Sequence, residues 1–188
     1  SEIPTTVGVT YSLALLPDSK MRQRVTDSRV GIASVSKLTF DNNIAKSKQT
    51  FIAQRWNLVP QNLKAYEQGK LSKPVKPICF YIDDAFPAEW KNAIKQGVEL
   101  WNKAFEQAGY QKAIEALDFP KNDRNFDADD IAYSCIRYVP STAEKVTSSF
   151  LANPQTGEII NASVFVPANV GNQIYRWLFL GSAASDAT

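Results

Sequence analysis

The spacing of apolar residues changes along the chain, and each change marks an element. Between residues 5 and 16 every second position is apolar or aromatic, with Val7, Val9, Tyr11, Leu13 and Leu15 on one face. That is the period of a strand with one buried side. Leu16-Pro17-Asp18-Ser19 follows as a turn signal. A second strand is expected over residues 30–40, then a turn at Asp41-Asn42-Asn43, then a third strand over 49–59 carrying Phe51, Ile52, Trp56, Leu58 and Val59. This part is expected to be β-rich and antiparallel. Over residues 60–76 the pattern dissolves. Pro60, Gly69 and Pro74 interrupt it, and Lys64, Lys70, Lys73 and Lys76 read as the solvated face of a linker. The boundary placed here divides the chain into a β-rich segment, 1–73, and a second part, 74–188.

The second part alternates strand and helix. Pro77 to Asp83 is a near-continuous apolar run, as expected of a strand covered on both faces. Pro87 can open a helix at its first position, with Glu89 at the positive helix start. Trp90, Ala93, Ile94, Gly97, Val98, Trp101, Ala104, Phe105 and Ala108 then recur at helical spacing, and Gly109 is placed to end it. Trp101 and Phe105, one turn apart, are expected to face a sheet as core. Strands are expected at 113–117, 132–139, 148–152 and 158–166. The last two form a hairpin around Asn153-Pro154-Gln155-Thr156-Gly157, and an amphipathic helix follows at about 172–183. Strand, helix and strand in this order imply a parallel pair. The fold class is therefore α+β or α/β, with an N-terminal antiparallel β-rich segment followed by a mixed sheet with a packed helix.

Composition narrows the chemistry. The 188 residues are 44% hydrophobic and 21% charged with a formal net charge of +2, ordinary values that give no pull toward nucleic acid. No apolar run is long enough to span a bilayer. The sequence starts without a basic, apolar leader and is expected to carry no signal peptide. Histidine is absent altogether. That excludes Ser-His-Asp triads, Cys-His dyads and His-ligated metal within this chain. Cys79 and Cys135 lie in apolar runs without zinc-ligand spacing, and are expected to be reduced and buried.

Several stretches resemble the met-zincin family of large bacterial zinc-dependent metalloproteases, within the metzincin group. They are Pro77-Ile78-Cys79-Phe80-Tyr81-Ile82-Asp83, Trp101-Asn102-Lys103-Ala104-Phe105-Glu106-Gln107-Ala108-Gly109, Ile136-Arg137-Tyr138-Val139 and Asn153-Pro154-Gln155-Thr156-Gly157-Glu158-Ile159. The stretch from Leu16-Pro17 through Met21, Arg24, Asp27 and Arg29-Val30-Gly31 to Arg55-Trp56 is similar to the β-rich domain preceding the peptidase in that family. The resemblance implies a metzincin-like sheet in which the strands of Cys79 and Cys135 are neighbours, peptide-bond hydrolysis in the full-length protein, zinc as its cofactor, a peptide or protein substrate, and a secreted, periplasmic or cell-surface location. It also implies that the H-E-x-x-H helix, whose two His hold zinc while its Glu activates water, would follow residue 188. Residues 74–188 then form the N-terminal part of the catalytic domain. This chain by itself is expected to hold no zinc and no catalytic residue, and to cleave no peptide.

One functional element carries over. In the metzincin sheet the strand before the Asn-Pro-x-Thr-Gly turn is an antiparallel edge that pairs with substrate backbone. Here it is Ser148-Ser149-Phe150-Leu151-Ala152, and strand addition is the physics of such binding. An open edge of this kind also permits weak self-association. The alternative class is a non-catalytic protein- or peptide-binding module of the cell envelope.

Other constellations have simpler readings. Asp118, Asp123, Asp127, Asp129 and Asp130 offer oxygen ligands for calcium, with Asp127 and Asp129 the strongest candidates, but lack EF-hand spacing and glycine and read as a solvated loop. Asp83-Asp84 ends a buried strand, where active sites of parallel sheets gather, and reads as a helix cap before Pro87. Arg22, Arg24 and Arg29 surround Asp27, so ion pairing within the β-rich segment is simpler than anion binding.

Overall fold

A computed structural model describes residues 4, 6–16, 21–41 and 46–182. The turn residues Pro17-Asp18-Ser19 and Asn42-Asn43 lie outside these. The N-terminal elements are β1 (Val25–Thr26), a 3₁₀ turn (Ser28–Val30), β2 (Ser34–Asp41) and β3 (Lys46–Ala53). They form an antiparallel sheet in the order β1-β3-β2. Asp27 opens the 3₁₀ turn. Its Oδ1 accepts from the Arg29 N–H at 2.9 Å, and its carboxylate chelates the Arg29 guanidinium at 2.8 and 2.9 Å, the ion pairing expected of this basic stretch. Residues 6–16 do not form the expected strand. Leu13 and Leu15 are 96% and 98% exposed. Alternation equips a segment to pair but supplies no partner.

The stretch 60–76 is more structured than a linker. Asn62 caps a short helix α1 (Leu63–Glu67), its Oδ1 accepting from the Ala65 N–H at 3.0 Å. Ser72 is buried and bonds through its backbone to Gly109 and Gln111. The Tyr110 hydroxyl donates to the Leu58 carbonyl at 2.8 Å. The four lysines are exposed, as expected.

The second part comprises β4 (Ile78–Ile82), α2 (Ala88–Leu100), α3 (Asn102–Gln107), β5 (Ile114–Asp118), β6 (Ser134–Val139), β7 (Thr147–Ala152), β8 (Ile159–Pro167) and α4 (Val170–Ser182). Its five strands are ordered β5-β4-β6-β8-β7. The β5-β4, β4-β6 and β6-β8 pairs are parallel and β7-β8 is antiparallel, so the sheet is mixed and the fold class is α+β with helices packed on strands. Ile82, Phe86 and Ile136 form the core, with Trp90, Ile94 and Val98 of α2 packed against them. These helix residues are four apart and share one face.

Trp101 is not core. It is 63% exposed and sits where the helix breaks, its N–H turning back to the Val98 carbonyl at 3.2 Å. That i to i−3 bond is a 3₁₀-type tightening, and it brings Asn102 inward instead. The Asn102 amide donates to the Ile114 carbonyl at 2.9 Å and its Oδ1 accepts from the Ala113 and Ile114 N–H groups at 2.8 and 3.2 Å. Buried backbone groups at the start of β5 need partners, and an indole cannot satisfy them all. Phe105 is half-buried. Gly109, with φ of 88°, ends α3. The Tyr110 N–H bonds the Phe105 carbonyl and the Gly109 N–H bonds Glu106, closing a Schellman motif.

No helix among the described residues is long and apolar enough to cross a membrane. In α4, Trp177, Leu178, Phe179 and Leu180 are all at least 60% exposed, and Arg176 pairs with Glu144 at 2.7 Å.

Candidate functional site

β7 is one of the two edge strands of the five, opposite β5, and residues 147–151 are exposed along its length. Its register follows from the turn that precedes β8. Both backbone groups of Asn153 face that side: its N–H bonds the Glu158 carbonyl and its carbonyl accepts from the Gly157 N–H, each at 2.8 Å. Backbone groups alternate sides along an antiparallel strand, and the irregularity at Leu151/Ala152 places the extra residue, Ile160, on β8. Ser148, Phe150 and Ala152 therefore turn their N–H and C=O groups to the open edge, while Ser149 and Leu151 bond toward β8. All five residues of the expected segment lie in β7.

The turn is held from outside. Gly157 has φ of 76°, and the Arg55 N–H donates to its carbonyl at 2.9 Å. The Ile159 N–H returns the bond to the Arg55 carbonyl at 3.0 Å. The Asn57 amide donates to Glu158 Oε1 at 3.1 Å, and the Gln23 amide to the Gln155 carbonyl. Arg55 also donates to the Arg22 carbonyl. Asn153 and Thr156 are buried within this seat. The exit of β3 thus braces the hairpin that carries the edge strand.

Beside β7 a cavity of about 330 Å³ opens on the sheet face bearing Ser149 and Leu151, with residues 128–131 as its wall and Arg137, Asn161, Ser163 and Phe165 across its floor. Arg137 donates from Nη1 to Asp129 Oδ1 at 2.7 Å, and its Nε lies 3.5 Å from Asp83 Oδ2, an ion pair without a hydrogen bond. Burial opposes the Arg137 charge, but Asp129 and Asp83 outweigh it and the pKa is raised. Asn161, buried, donates to the carbonyls of Ile131 and Tyr133 at 3.0 and 2.8 Å and so ties the wall to the sheet. Ser12, from the N-terminal segment, donates to the Asp129 carbonyl at 3.2 Å.

The aspartate-rich loop is tied by its own backbone turns and by ring contacts. Asp123, Asp127 and Asp130 each accept from the backbone N–H two residues on, at 2.9 Å, the Asx geometry of turns. Phe119, Phe126, Tyr133 and Tyr81 stack in a chain of ring contacts that seats the loop on β4. Asp118 stands apart, paired with Lys91 and Lys95 at 2.8 and 2.6 Å. Asp83 and Asp84 do not cap α2, whose N-cap residue is Pro87 and which has no side-chain cap. Asp83 accepts from the Ala85 and Tyr138 N–H groups and pairs with Arg137, while Asp84 pairs with Lys91.

Cys79 and Cys135 are both free thiols on neighbouring strands. Cys135 is buried, but Cys79 only half so, because β4 starts at the rim of a second cavity lined by Trp56, Lys76 and Tyr133. Burial pushes both thiols up, Cys135 to about 11. Among the described residues the donors present do not fit zinc. The chain has no histidine, and among the described residues no three of His, Cys, Asp and Glu converge as ligands.

The sequence pattern marks neither Arg137 nor Asn161 for a role, and marks Asp130 only as one of the aspartates of the loop. An arginine amid the apolar run Ser134 to Val139 was the available signal, since a charge on an inner strand needs carboxylate partners.

Residues 1–61 match the model of a family described as a domain of unknown function, DUF5117. No curated protein matches the chain, and no solved structure does.

Proposed function

We propose that this chain supplies the sheet and the peptide-aligning edge strand of a zinc-dependent peptidase cleft, with β7 pairing to an extended peptide. One observation carries the reading: β7 is the sole antiparallel strand of its sheet and offers the backbone groups of Ser148, Phe150 and Ala152 unpaired at the edge. Free edge groups gain hydrogen bonds when a strand adds, which supplies affinity without regard to side chain. The sequence resemblance supports assigning that edge to substrate. Hydrolysis in such a peptidase would use zinc ligands from outside this chain.

The test is amide exchange of the chain with and without an extended, uncharged pentapeptide at millimolar concentration, read residue by residue by NMR. The expected result is added protection at Ser148, Phe150 and Ala152, with Ser149 and Leu151 little changed. Binding that leaves β7 amides untouched, or no binding, overturns the reading.

A further inference from the structure

The cavity beside β7 has a charge balance of its own. Asp129 and Asp130 form its wall and Arg137 its one cationic member. The Arg137 charge is already met twice, by Asp129 at 2.7 Å and by Asp83 at 3.5 Å. Asp130 has one carboxylate oxygen on the Ala132 N–H at 2.9 Å and, among the described residues, pairs with no cation. The charge balance of the lining is therefore negative, with Asp130 as the carboxylate left over. The rest of the lining suits an aliphatic stem with a polar head, since Leu151 and Phe165 are apolar while Ser149, Ser163 and Asn161 carry hydroxyl and amide groups.

Position makes this cavity part of the edge. Ser149 and Leu151 belong to β7 itself and line the cavity. A peptide added to β7 lies one strand spacing away, about 4.8 Å, and alternate side chains fall on the same face as Ser149 and Leu151. A short side chain ends over β7. A long one reaches across it over the cavity that Asp130 lines.

We infer that the cavity between β7 and residues 128–131 is a subsite that selects a lysine or arginine side chain of the bound peptide, with the Asp130 carboxylate as its counter-ion. The inference rests on the edge-strand reading of β7 and deepens it. Arg137 excludes nothing by itself. It holds Asp129 in place and leaves Asp130 to the ligand, and an acidic side chain meets like charge.

The experiment compares three pentapeptides, acetyl-Ala-Val-Xaa-Val-Ala-amide with Xaa as lysine, norleucine or glutamate, titrated into the full chain by NMR. Norleucine keeps the stem of lysine and drops the charge. The expected result is lysine binding about 10-fold tighter than norleucine, with glutamate weakest, and a ratio that shrinks with added salt. Asp130→Asn, which keeps the Oδ1 acceptor for Ala132, collapses the lysine-to-norleucine ratio to near one. Equal binding of lysine and norleucine, with β7 amides protected by both, overturns the subsite and leaves the edge reading intact. A lysine preference that survives Asp130→Asn overturns the role of Asp130. Failure of all three peptides to bind overturns both readings.

Discussion

The carbonyl oxygen of Ala53 occupies the space a side chain on Gly157 would need. A Cβ there would sit 2.3 Å from that oxygen and 3.0 Å from Cγ2 of Ile52, which is fully buried. The N-terminal sheet and the β7–β8 hairpin therefore meet backbone to backbone, and glycine is required twice, for close approach and for its φ of 76°. Gly157→Ala is expected to destabilise the chain by about 2–4 kcal/mol, combining left-handed strain with displacement of the Arg55 bonds. Urea unfolding measures this. A loss under about 0.5 kcal/mol would mean the two parts do not pack as described.

Trp101 and Asn102 exchange the roles that helical spacing assigns them. Trp101→Ala, at an exposed site, is expected to cost under about 1 kcal/mol. Asn102→Ala leaves two N–H groups and a carbonyl at the start of β5 without partners, and is expected to cost about 2–4 kcal/mol. Thermal or urea unfolding of the two variants decides the order, and a costlier Trp101→Ala would restore the indole to the core.

The thiols differ in access. At pH 8 in the native state Cys79, half-buried, is expected to react slowly with a disulfide reagent and Cys135 not at all, since burial holds both as thiols and thiolate is the nucleophile. After denaturation both react. Rapid native reaction at Cys135 would contradict its place between β4 and β8.

Asp118 is the acid-sensitive group of the α2 face. Its hydrogen bonds to Lys91 and Lys95 lower its pKa from 3.8 to about 2. A depressed carboxylate stabilises the fold above its unfolded pKa and loses that contribution as pH falls through the folded one. The stability gap between the wild type and Asp118→Asn is thus expected to be present above pH 4 and closed near pH 2. The carboxylate is half exposed, so solvent screening holds the gap to under about 1 kcal/mol. Melting temperatures of both proteins from pH 2 to 7 provide the check, and a gap constant with pH would remove the ion pairs.

Proline separates the two sides of β7. Phe150→Pro removes an N–H from the open edge and is expected to spare stability to within about 1–2 kcal/mol while abolishing peptide pairing. Leu151→Pro removes an inward N–H and is expected to unfold the hairpin. Equal effects of the two on stability would show that the register derived from Asn153 is wrong.

Much of the fold was legible because it rests on local pattern. The apolar run Ile78 to Ile82 becomes a strand with parallel neighbours on both sides. Trp90, Ile94 and Val98 keep their helical spacing, Gly109 ends α3, and Asn153 to Gly157 turns β7 back on β8. Each depends on residues a few positions apart, so a linear chain carries the information. What a segment pairs with is a different quantity. Val7 to Leu15 alternates as well as any strand here, yet residues 6–16 join no strand among the described residues, because alternation says which face would be buried and not whether an edge is free. The exchange of Trp101 for Asn102 was set by the unmet backbone groups of Ala113 and Ile114. The meeting of Asp83 with Arg137, and of Ala53 with Gly157, joins residues far apart in sequence. The place of Ser148 to Ala152 at an edge followed from resemblance. The cavity beside them, and the surplus carboxylate in it, arose only when the β6, β8 and β7 strands and the 128–131 loop closed around the same space.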